Sequence, residues 1–220
     1  MIEFNELVSN YLRRELRQKK IGNYYPSDCG TCMRKAWYSY KLPRAFDIEL
    51  LKVFEMGNLV HSFMLDVLNS EKNPHIQLIG SEVPFRVNVD EIIISGRVDS
   101  IITVKIENEI YLVEIKSVSE SSNMKEASKA HVLQLQLYMH YKGIRKGIIV
   151  YIKKNNLKAK QFEINYDYSR AKEAIDRFRD LHKYLVETKL PDAEAKAVED
   201  MNWQCKSCQW ENECGKDFII

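Results

Sequence analysis

Acidic and basic residues suited to phosphate chemistry lie in the middle of the chain. The segment YLVEIKS places Glu114 and Lys116 two residues apart, and because side chains alternate along a strand, both project from the same face. Asp99, in GRVDS, can approach Glu114 from the adjacent strand. Two neighbouring carboxylates resist joint ionisation unless a cation lies between them. The pattern therefore predicts a divalent-metal site with a lysine beside it, and the simpler alternative is a set of charges on the solvent face of a sheet.

Side chains on two predicted helices are candidates to complete this site. Gly57 and His61 are four residues apart, as are Gln134 and Tyr138, so each pair shares one helical face. The imidazole is a candidate ligand, and the amide and phenol are candidates to hold a phosphate or a water molecule. Two further residues are interpreted as surface side chains, with an outer position in the site as the alternative: Glu82 and His131.

Four of the five cysteines divide between the two ends of the chain. Cys32 lies near the start, and Cys205, Cys208 and Cys214 form the pattern C-x-x-C-x5-C near the end. Thiolates can ligate an iron–sulfur cluster or a zinc ion, and the spacing does not decide between the two. Cys29 makes a second C-x-x-C pair with Cys32 and is either an alternative ligand or a plain thiol. A shared metal centre would join the two ends.

Composition limits the class of protein. With 220 residues, 45% of them hydrophobic, the chain can bury the core of one large domain. No apolar run approaches the roughly twenty residues of a membrane span, so we expect a cytoplasmic protein without a membrane partner. The net charge is only +2, so a nucleic acid must be held by local basic patches. Candidate patches are Arg13/Arg14/Arg17, Arg34/Lys35, Lys142/Arg145/Lys146 and Lys153/Lys154/Lys158, and candidate base-stacking residues are Tyr24, Tyr25, Trp37 and Tyr40.

Hydrophobic periodicity predicts helices on both sides of a run of strands. Helical spacing covers 2–19, a segment after Cys32, 50–68, 124–141 and 167–187. Alternating or β-branched segments predict strands at 76–87, 92–106, 109–118, 147–153 and 157–166, of which the first three are consecutive and antiparallel. This order indicates an α/β or α+β sandwich with a mixed sheet.

The order of the motifs resembles a known family. Gly57-x-x-x-His61, Gly-Arg-Val-Asp99, Glu114-Ile-Lys116 and Gln134-x-x-x-Tyr138 are similar to the RecB-type branch of the PD-(D/E)XK nuclease superfamily. With the four cysteines, the chain resembles the CRISPR-associated RecB-like exonucleases over nearly its whole length. The resemblance implies a restriction-endonuclease-like core, with an iron–sulfur cluster joining the N-terminal helices to the C-terminal tail.

The resemblance also assigns roles to residues. The catalytic metal, Mg²⁺ or Mn²⁺, is expected on His61, Asp99, Glu114 and the main-chain carbonyl of Ile115. Lys116 is expected to serve the hydrolytic water, with Gln134 and Tyr138 completing the catalytic site. A 4Fe–4S cluster is expected on Cys32, Cys205, Cys208 and Cys214.

Organisation and function follow from the same resemblance. We expect one domain over 1–220, made of a helical part (1–75), a nuclease core (76–188) and a cluster-binding tail (189–220). The protein is expected to be a single-stranded DNA exonuclease that acts on unpaired DNA or duplex ends. Endonuclease activity is an expected addition. It would trim precursor DNA in CRISPR spacer acquisition, with the integrase complex as partner and homo-oligomers as an option. The alternatives are a RecB-like nuclease of recombination, repair or a virus, and a non-catalytic, cluster-bearing DNA-binding subunit.

Overall fold

Six strands form one mixed sheet with helices against both faces. A computed structural model describes residues 2–122 and 124–215, so the last residues of the predicted tail, 216–220, lie outside the described residues. The helices are α1 (Phe4–Leu12), α2 (Met33–Lys41), α3 (Ile48–Leu68), α4 (Lys129–Lys142), α5 (Tyr168–Val186), α6 (Glu194–Ala197) and α7 (Glu211–Cys214). The strands are β1 (Asn23–Tyr24), β2 (Ile76–Val89), β3 (Ile92–Val104), β4 (Glu109–Val118), β5 (Lys146–Lys153) and β6 (Ala159–Asn165). Two 3-10 helices span Pro26–Gly30 and Glu199–Ser207.

The strand β3 organises the sheet. One edge of β3 pairs antiparallel with β2, and the other edge pairs with β4 from Ser100↔Val113 to Val104↔Glu109 and, further along, with the short parallel strand β1. β4 runs parallel to β5 with α4 between them in the chain, and β6 closes the sheet antiparallel to β5. The predicted mixed sheet between helices is confirmed, including the three consecutive antiparallel strands.

Two apolar cores lie on opposite faces of the sheet. Leu112 of β4 packs in the core that contains Leu135 of α4 and Phe178 of α5. Ile115 of the same strand packs in the other core with Val60 of α3. Because side chains alternate, β4 contributes to both cores and is buried on both faces. Glu114 of this strand is therefore held in a rigid, largely dry environment.

Two helices differ from the sequence prediction. α1 ends at Leu12 instead of continuing to residue 19, since Arg13 and Arg17 would place like charges one turn apart. α4 begins at Lys129 rather than at residue 124, and the amide of Ser128, just before the helix, donates to the hydroxyl of Tyr151. Across the described ranges, no helix combines the length and the apolar character that a membrane span requires.

The first 3-10 helix, Pro26–Gly30, is packed tightly between α4 and β3. A Cβ atom at Gly30 would overlap the backbone and side chain of Ala130, and one at Gly96 would lie 2.9 Å from Pro26. Arg177 of α5 donates hydrogen bonds to the main-chain carbonyl of Cys29 in this segment and to that of Thr31 just after it. The contacts fix the segment that leads to Cys32 against the helix that carries Gln134.

We expect Gly30→Ala to lower the free energy of unfolding by about 1–3 kcal/mol, because the added methyl group forces α4 away from the 3-10 helix. Gly215→Ala is the matched control, since the nearest atom to its added Cβ is 3.6 Å away. Urea denaturation of the two variants measures the effect, and equal midpoints would contradict the close packing.

Candidate active site

The strands β3 and β4 separate next to Asp99, and this fork exposes a main-chain donor. The ladder between them ends at Ser100↔Val113, so the amide of Ile115 lies beyond it. The Asp99 carboxylate accepts that N–H at 2.7 Å. A main-chain donor that the sheet leaves free is thereby satisfied by a functional side chain, and Asp99 is fixed beside β4.

Glu114 is the most deeply buried charge of the site. Its side chain is 1% exposed, and Oε1 lies 2.6 Å from Nζ of Lys116. The same ammonium donates to Oε1 of Gln134 at 3.2 Å. The predicted shared face of Glu114 and Lys116 is thus realised as an ion pair, and α4 supplies the amide that orients the lysine.

Burial sets the protonation of these groups. Burial raises the pKa of Glu114 to about 7, although Lys116 opposes the shift, and burial likewise raises the pKa of Asp99 to about 6. Burial alone would lower the pKa of Lys116, but the neighbouring Glu114 and Asp99 carboxylates outweigh it and raise that pKa. The two acids are therefore poorly ionised together unless further positive charge is present.

The imidazole of His61 faces the same acids from α3. Its Nδ1 lies 3.7 Å from Oδ2 of Asp99, and it also hydrogen-bonds to the main chain of Ile115. Burial, with Lys116 second, lowers the pKa of His61, so the neutral, ligating form prevails near pH 7. Gly57, one turn earlier, has no side chain between α3 and Ser117, where a Cβ would lie 3.2 Å from the serine hydroxyl.

Glu82 of β2 is exposed, as predicted for a surface acid, and it also reaches this site, as the alternative of an outer position predicted. Ligand atoms of His61, Glu82 and Asp99 lie within 4.8 Å of one another. Glu82 has a φ of 48°, a left-handed backbone conformation that is uncommon outside glycine and that clusters at functional sites. Its position opposite Asp99 depends on strand register, so the sequence alone left Glu82 between a surface acid and an outer position in the site.

The described residues offer a site that fits a divalent cation. Oε2 of Glu114 is buried and has no hydrogen-bond partner among them, an arrangement that is costly unless an ion or a water molecule completes it. Oxygen atoms of Asp99 and Glu82 and a nitrogen of His61 converge nearby. The donors match the preferences of Mg²⁺ or Mn²⁺.

The remaining predicted residues surround this group. Tyr138 lies behind Gln134, and its hydroxyl donates to the main-chain carbonyl of Arg97 at 2.7 Å, so it joins α4 to β3. His131 is half-buried, with Nδ1 2.9 Å from the hydroxyl of Tyr151, and burial lowers its pKa to about 3. The prediction that His131 is a surface residue is wrong, because the ring packs under β5.

A cleft of about 920 Å³ opens in front of the acids and is lined by His61, Glu82 and Lys116. Lys154 also lines this active-site cleft, and its Nζ donates to the main-chain carbonyl of Val53 at 2.8 Å. Burial lowers the pKa of Lys154. Lys116 and Lys154 thus place positive charge in the cleft beside the acids, where it can attract a phosphate group.

The four predicted cluster cysteines line one cavity of about 120 Å³. Burial raises the pKa of Cys205, and the neighbouring thiolates of Cys32, Cys208 and Cys214 add to the effect. Cys29 is outside the residues that line this thiol cavity; it is buried in the apolar core, and burial raises its pKa to about 12. The structure thus brings together the predicted four thiols and separates Cys29 from them.

Polar residues that the sequence did not single out hold the thiol cavity together. Gln204 accepts a hydrogen bond from the amide of Cys32 at 2.9 Å and donates to the carbonyl of Gly30 at 3.2 Å. Glu194 accepts from the amide of Met33 at 2.6 Å and pairs with Arg177. The contacts join the tail to the start of α2, between elements that are distant in sequence.

Three of the four aromatic residues predicted to stack on bases are in the core instead. Tyr24, Trp37 and Tyr40 are at most 3% exposed, whereas Tyr25 remains exposed. The buried rings pack against α5 and one another, because the N-terminal helices need apolar contacts to dock on the sheet. Only Tyr25 of this group is accessible to a ligand.

The forked sheet with two strand-borne acids and a lysine defines a nuclease-type fold. The chain belongs to the PD-(D/E)XK nuclease superfamily, whose family model matches residues 28–215. The crystal structure of SSO0001 is similar, with a TM-score of 0.65 and 22% identity over 99% of this chain and 98% of that one. The alkaline exonuclease LHK-Exo from Laribacter hongkongensis superposes with a TM-score of 0.50 and 12% identity, over 81% of this chain and 96% of that one. No curated protein sequence matches the chain.

We expect the metal-free protein to become less stable as pH rises, because Glu114 stays protonated to a higher pH in the folded state than in the unfolded state. The folded pKa is about 7 against an ordinary value of 4.5, so the native state holds a proton that the unfolded state releases between these values. Relative to Glu114→Gln, the wild type should lose up to about 1.4 kcal/mol of unfolding free energy per pH unit across this window.

Denaturant titrations in chelator between pH 4.5 and 7 measure this difference. Glu71→Gln, which replaces an exposed acid, is the control. A difference between wild type and Glu114→Gln that does not change with pH would contradict a buried carboxyl with a raised pKa.

Proposed function

We propose that this protein is a metal-dependent nuclease that hydrolyses phosphodiester bonds in DNA. The supporting observation is the convergence of Asp99, Glu114 and His61 around a cleft that also contains Lys116. Membership of the PD-(D/E)XK superfamily is consistent with this chemistry. The buried, unpartnered carboxylate oxygen of Glu114 gives the site a place for positive charge.

The proposed ligands of the cation are side chains and one main-chain atom. His61, Asp99, Glu114 and the carbonyl of Ile115 are the predicted set, and Glu82 adds a carboxylate. A bound Mg²⁺ or Mn²⁺ would supply Lewis-acid stabilisation of phosphate charge and acidify water. The imidazole favours Mn²⁺ over Mg²⁺, because Mg²⁺ prefers oxygen donors alone.

Lys116 is the proposed partner of the attacking water or of the phosphate. Its ammonium is held by Glu114 and Gln134 and lies at the wall of the active-site cleft. The raised pKa keeps Lys116 charged at neutral pH, which suits a group that orients water through a hydrogen bond and neutralises charge developing on phosphate. Gln134 and Tyr138 act as positioning residues, since they hold the lysine relative to β3.

We further propose that the substrate is single-stranded DNA or a duplex end, cut from a terminus. The exonuclease name of the Laribacter protein supports this mode, and the similarity there is one of fold. The four-thiol cavity supports placement with the CRISPR-associated RecB-like exonucleases, which would trim precursor DNA for an integrase complex in the cytoplasm. The alternative is that the protein is a nuclease of recombination, of repair or of a virus. Co-purification with an integrase would distinguish the CRISPR role from this alternative.

We propose a 4Fe–4S cluster, rather than zinc, in the thiol cavity. Zn–S bonds of about 2.3 Å would place tetrahedral thiolates roughly 3.8 Å apart. Among the described residues, no three of the cysteine sulfurs lie within 4.8 Å of one another. The guanidinium of Arg34 lies 4.0 Å from the sulfur of Cys214 and places positive charge beside the thiol cavity. Wider sulfur separation and an open cavity suit a larger inorganic group.

A non-catalytic DNA-binding subunit is the competing class of function. That hypothesis predicts a site in which an acid or the lysine points elsewhere or is missing. Asp99, Glu114 and Lys116 instead form one connected group at the active-site cleft, which favours turnover.

We expect Asp99→Ala and Lys116→Ala to reduce DNA cleavage by about 100-fold or more, because each removes a charge that acts on the reacting phosphate or its water. Asp66→Ala and Lys72→Ala, at exposed positions outside the cleft, are matched controls. Cleavage of labelled oligonucleotides with Mn²⁺ and with chelator gives the comparison. Undiminished activity in either site variant, with a native circular dichroism spectrum, would contradict the proposed site.

We expect Cys205→Ala to lose iron and visible absorbance and to melt at a lower temperature, because three thiolates hold a cluster poorly. Cys29→Ala should keep its iron, since Cys29 packs in the apolar core. Anaerobic purification with iron and zinc analysis provides the measurement. Zinc in the wild type, or equal iron in both variants, would refute the cluster assignment.

A further inference from the structure

A second cavity, of about 650 Å³, lies beside the active-site cleft, and Arg14 lines both. It lies between the irregular segment that follows α1 and the loop before α3, with Arg13, Arg17 and Phe46 in its wall. We call this second cavity the basic groove. Of the described residues that line it, five are basic and one, Glu15, is acidic. The charge of the groove therefore favours an anionic ligand. Its position beside the active-site cleft favours a ligand long enough to extend into that cleft.

Of the four guanidinium groups that line this groove, three are available to a ligand, whereas that of Arg44 pairs with Glu213. Arg13, Arg14 and Arg17 are exposed and make no side-chain hydrogen bond or ion pair with the part of the chain that the structure describes. Other predicted basic patches are occupied: Lys142 donates to the carbonyl of Pro84, and Lys146 pairs with Glu109. Unpaired arginines in a concave surface are suited to phosphate groups, which they bind through two hydrogen bonds.

Two aromatic rings lie at the junction of the groove and the cleft. Phe46 lines the basic groove and Phe54 of α3 lines the active-site cleft, and their centroids are 5.3 Å apart in an edge-to-face arrangement. Phe46 is 49% exposed and Phe54 is 40% exposed. Exposed phenyl rings beside unpaired guanidinium groups form the combination that binds single strands, since bases stack on the rings while phosphates meet the cations.

We propose that the basic groove binds an unpaired nucleic-acid strand, with a base stacked on the Phe46–Phe54 pair and phosphates on Arg13, Arg14 and Arg17. This inference rests on the proposed nuclease function, because the groove delivers the strand to the active-site cleft. A duplex does not satisfy it, since paired bases already stack on one another and do not offer their faces to the rings. The groove thus selects single-stranded substrate.

The first test removes the aromatic faces and keeps the apolar volume. In chelator, which prevents metal-dependent cleavage, Phe46→Leu/Phe54→Leu should bind a fluorescent oligo-dT of about 12 nucleotides about ten-fold more weakly than wild type. Phe63→Leu is the matched control, because Phe63 is a similarly exposed ring of α3 that lines neither cavity. An oligo-U of equal length should show the same loss, because phenyl rings stack on the bases of DNA and RNA alike.

A blunt hairpin of equal charge is the competing ligand. The proposal predicts that the paired leucine substitutions leave hairpin binding unchanged. Unchanged affinity for both unpaired strands, or an equal loss for the hairpin, would overturn the proposed stacking site.

The second test addresses the phosphates. Arg14→Gln should reduce the slope of log affinity for oligo-dT against log salt concentration by about 0.7, the value for one lost contact with a single strand. A purely structural role of Arg14 would lower affinity or stability without changing this slope, and an unchanged slope would overturn the phosphate assignment.

The groove and the active site can fail separately. Hydrolysis of a small p-nitrophenyl phosphodiester by the wild type with Mn²⁺ tests the proposed nuclease chemistry without the groove. Absence of that hydrolysis and of DNA cleavage would contradict the nuclease, whereas normal hydrolysis with leucine variants that bind oligo-dT normally would contradict only the groove.

Discussion

A carboxylate that is 1% exposed in the middle of a sheet requires positive charge beside it, and the arrangement of the site follows from that requirement at Glu114. Lys116 on the same strand face supplies one cation at 2.6 Å. Gln134 holds the lysine, and Tyr138 joins Gln134 to the main chain of β3. Because each contact restricts the next, the position of α4 on the sheet is coupled to the electrostatics of one buried acid.

The second determinant is the separation of β3 from β4. If the ladder continued, the amide of Ile115 would be paired within the sheet and Asp99 would have no main-chain partner there. The fork instead provides space for His61 to approach from α3 and for Glu82 to approach from β2. Three successive elements, α3, β2 and β3, thus supply ligand atoms to a volume set by the end of one strand ladder.

Local periodicity was sufficient for the strands and for the acid–lysine pair, because alternation on a strand places Glu114 and Lys116 together regardless of the tertiary fold. The three thiols near the end of the chain also follow from their spacing, whereas the choice of Cys32 over Cys29 depends on the family resemblance. For Glu82, an outer position in the site was only the alternative to a surface acid, since its role depends on register across β3 and on an unusual backbone angle. The burial of Tyr24 and the exposure of Phe46 were equally inaccessible, because they depend on which helix covers which face.

The two regions with chemistry are connected through a short piece of backbone. Pro26–Gly30 contacts β3 at Gly96 and α4 at Ala130, and Cys32 follows two residues later. Gln204 hydrogen-bonds to both Gly30 and Cys32. The thiol cavity and the helix that orients Lys116 therefore share a structural support.

The thiol cavity has a consequence for the order of biosynthesis. Three of its four sulfurs come from Cys205, Cys208 and Cys214, which leave the ribosome after every strand and α5 have been made. The sheet with its acids can fold while Cys32 still lacks its partners, since domains acquire structure during translation as their segments emerge. Insertion of any inorganic group into this cavity is thus a late step in the maturation of the protein, separate in time from formation of the sheet.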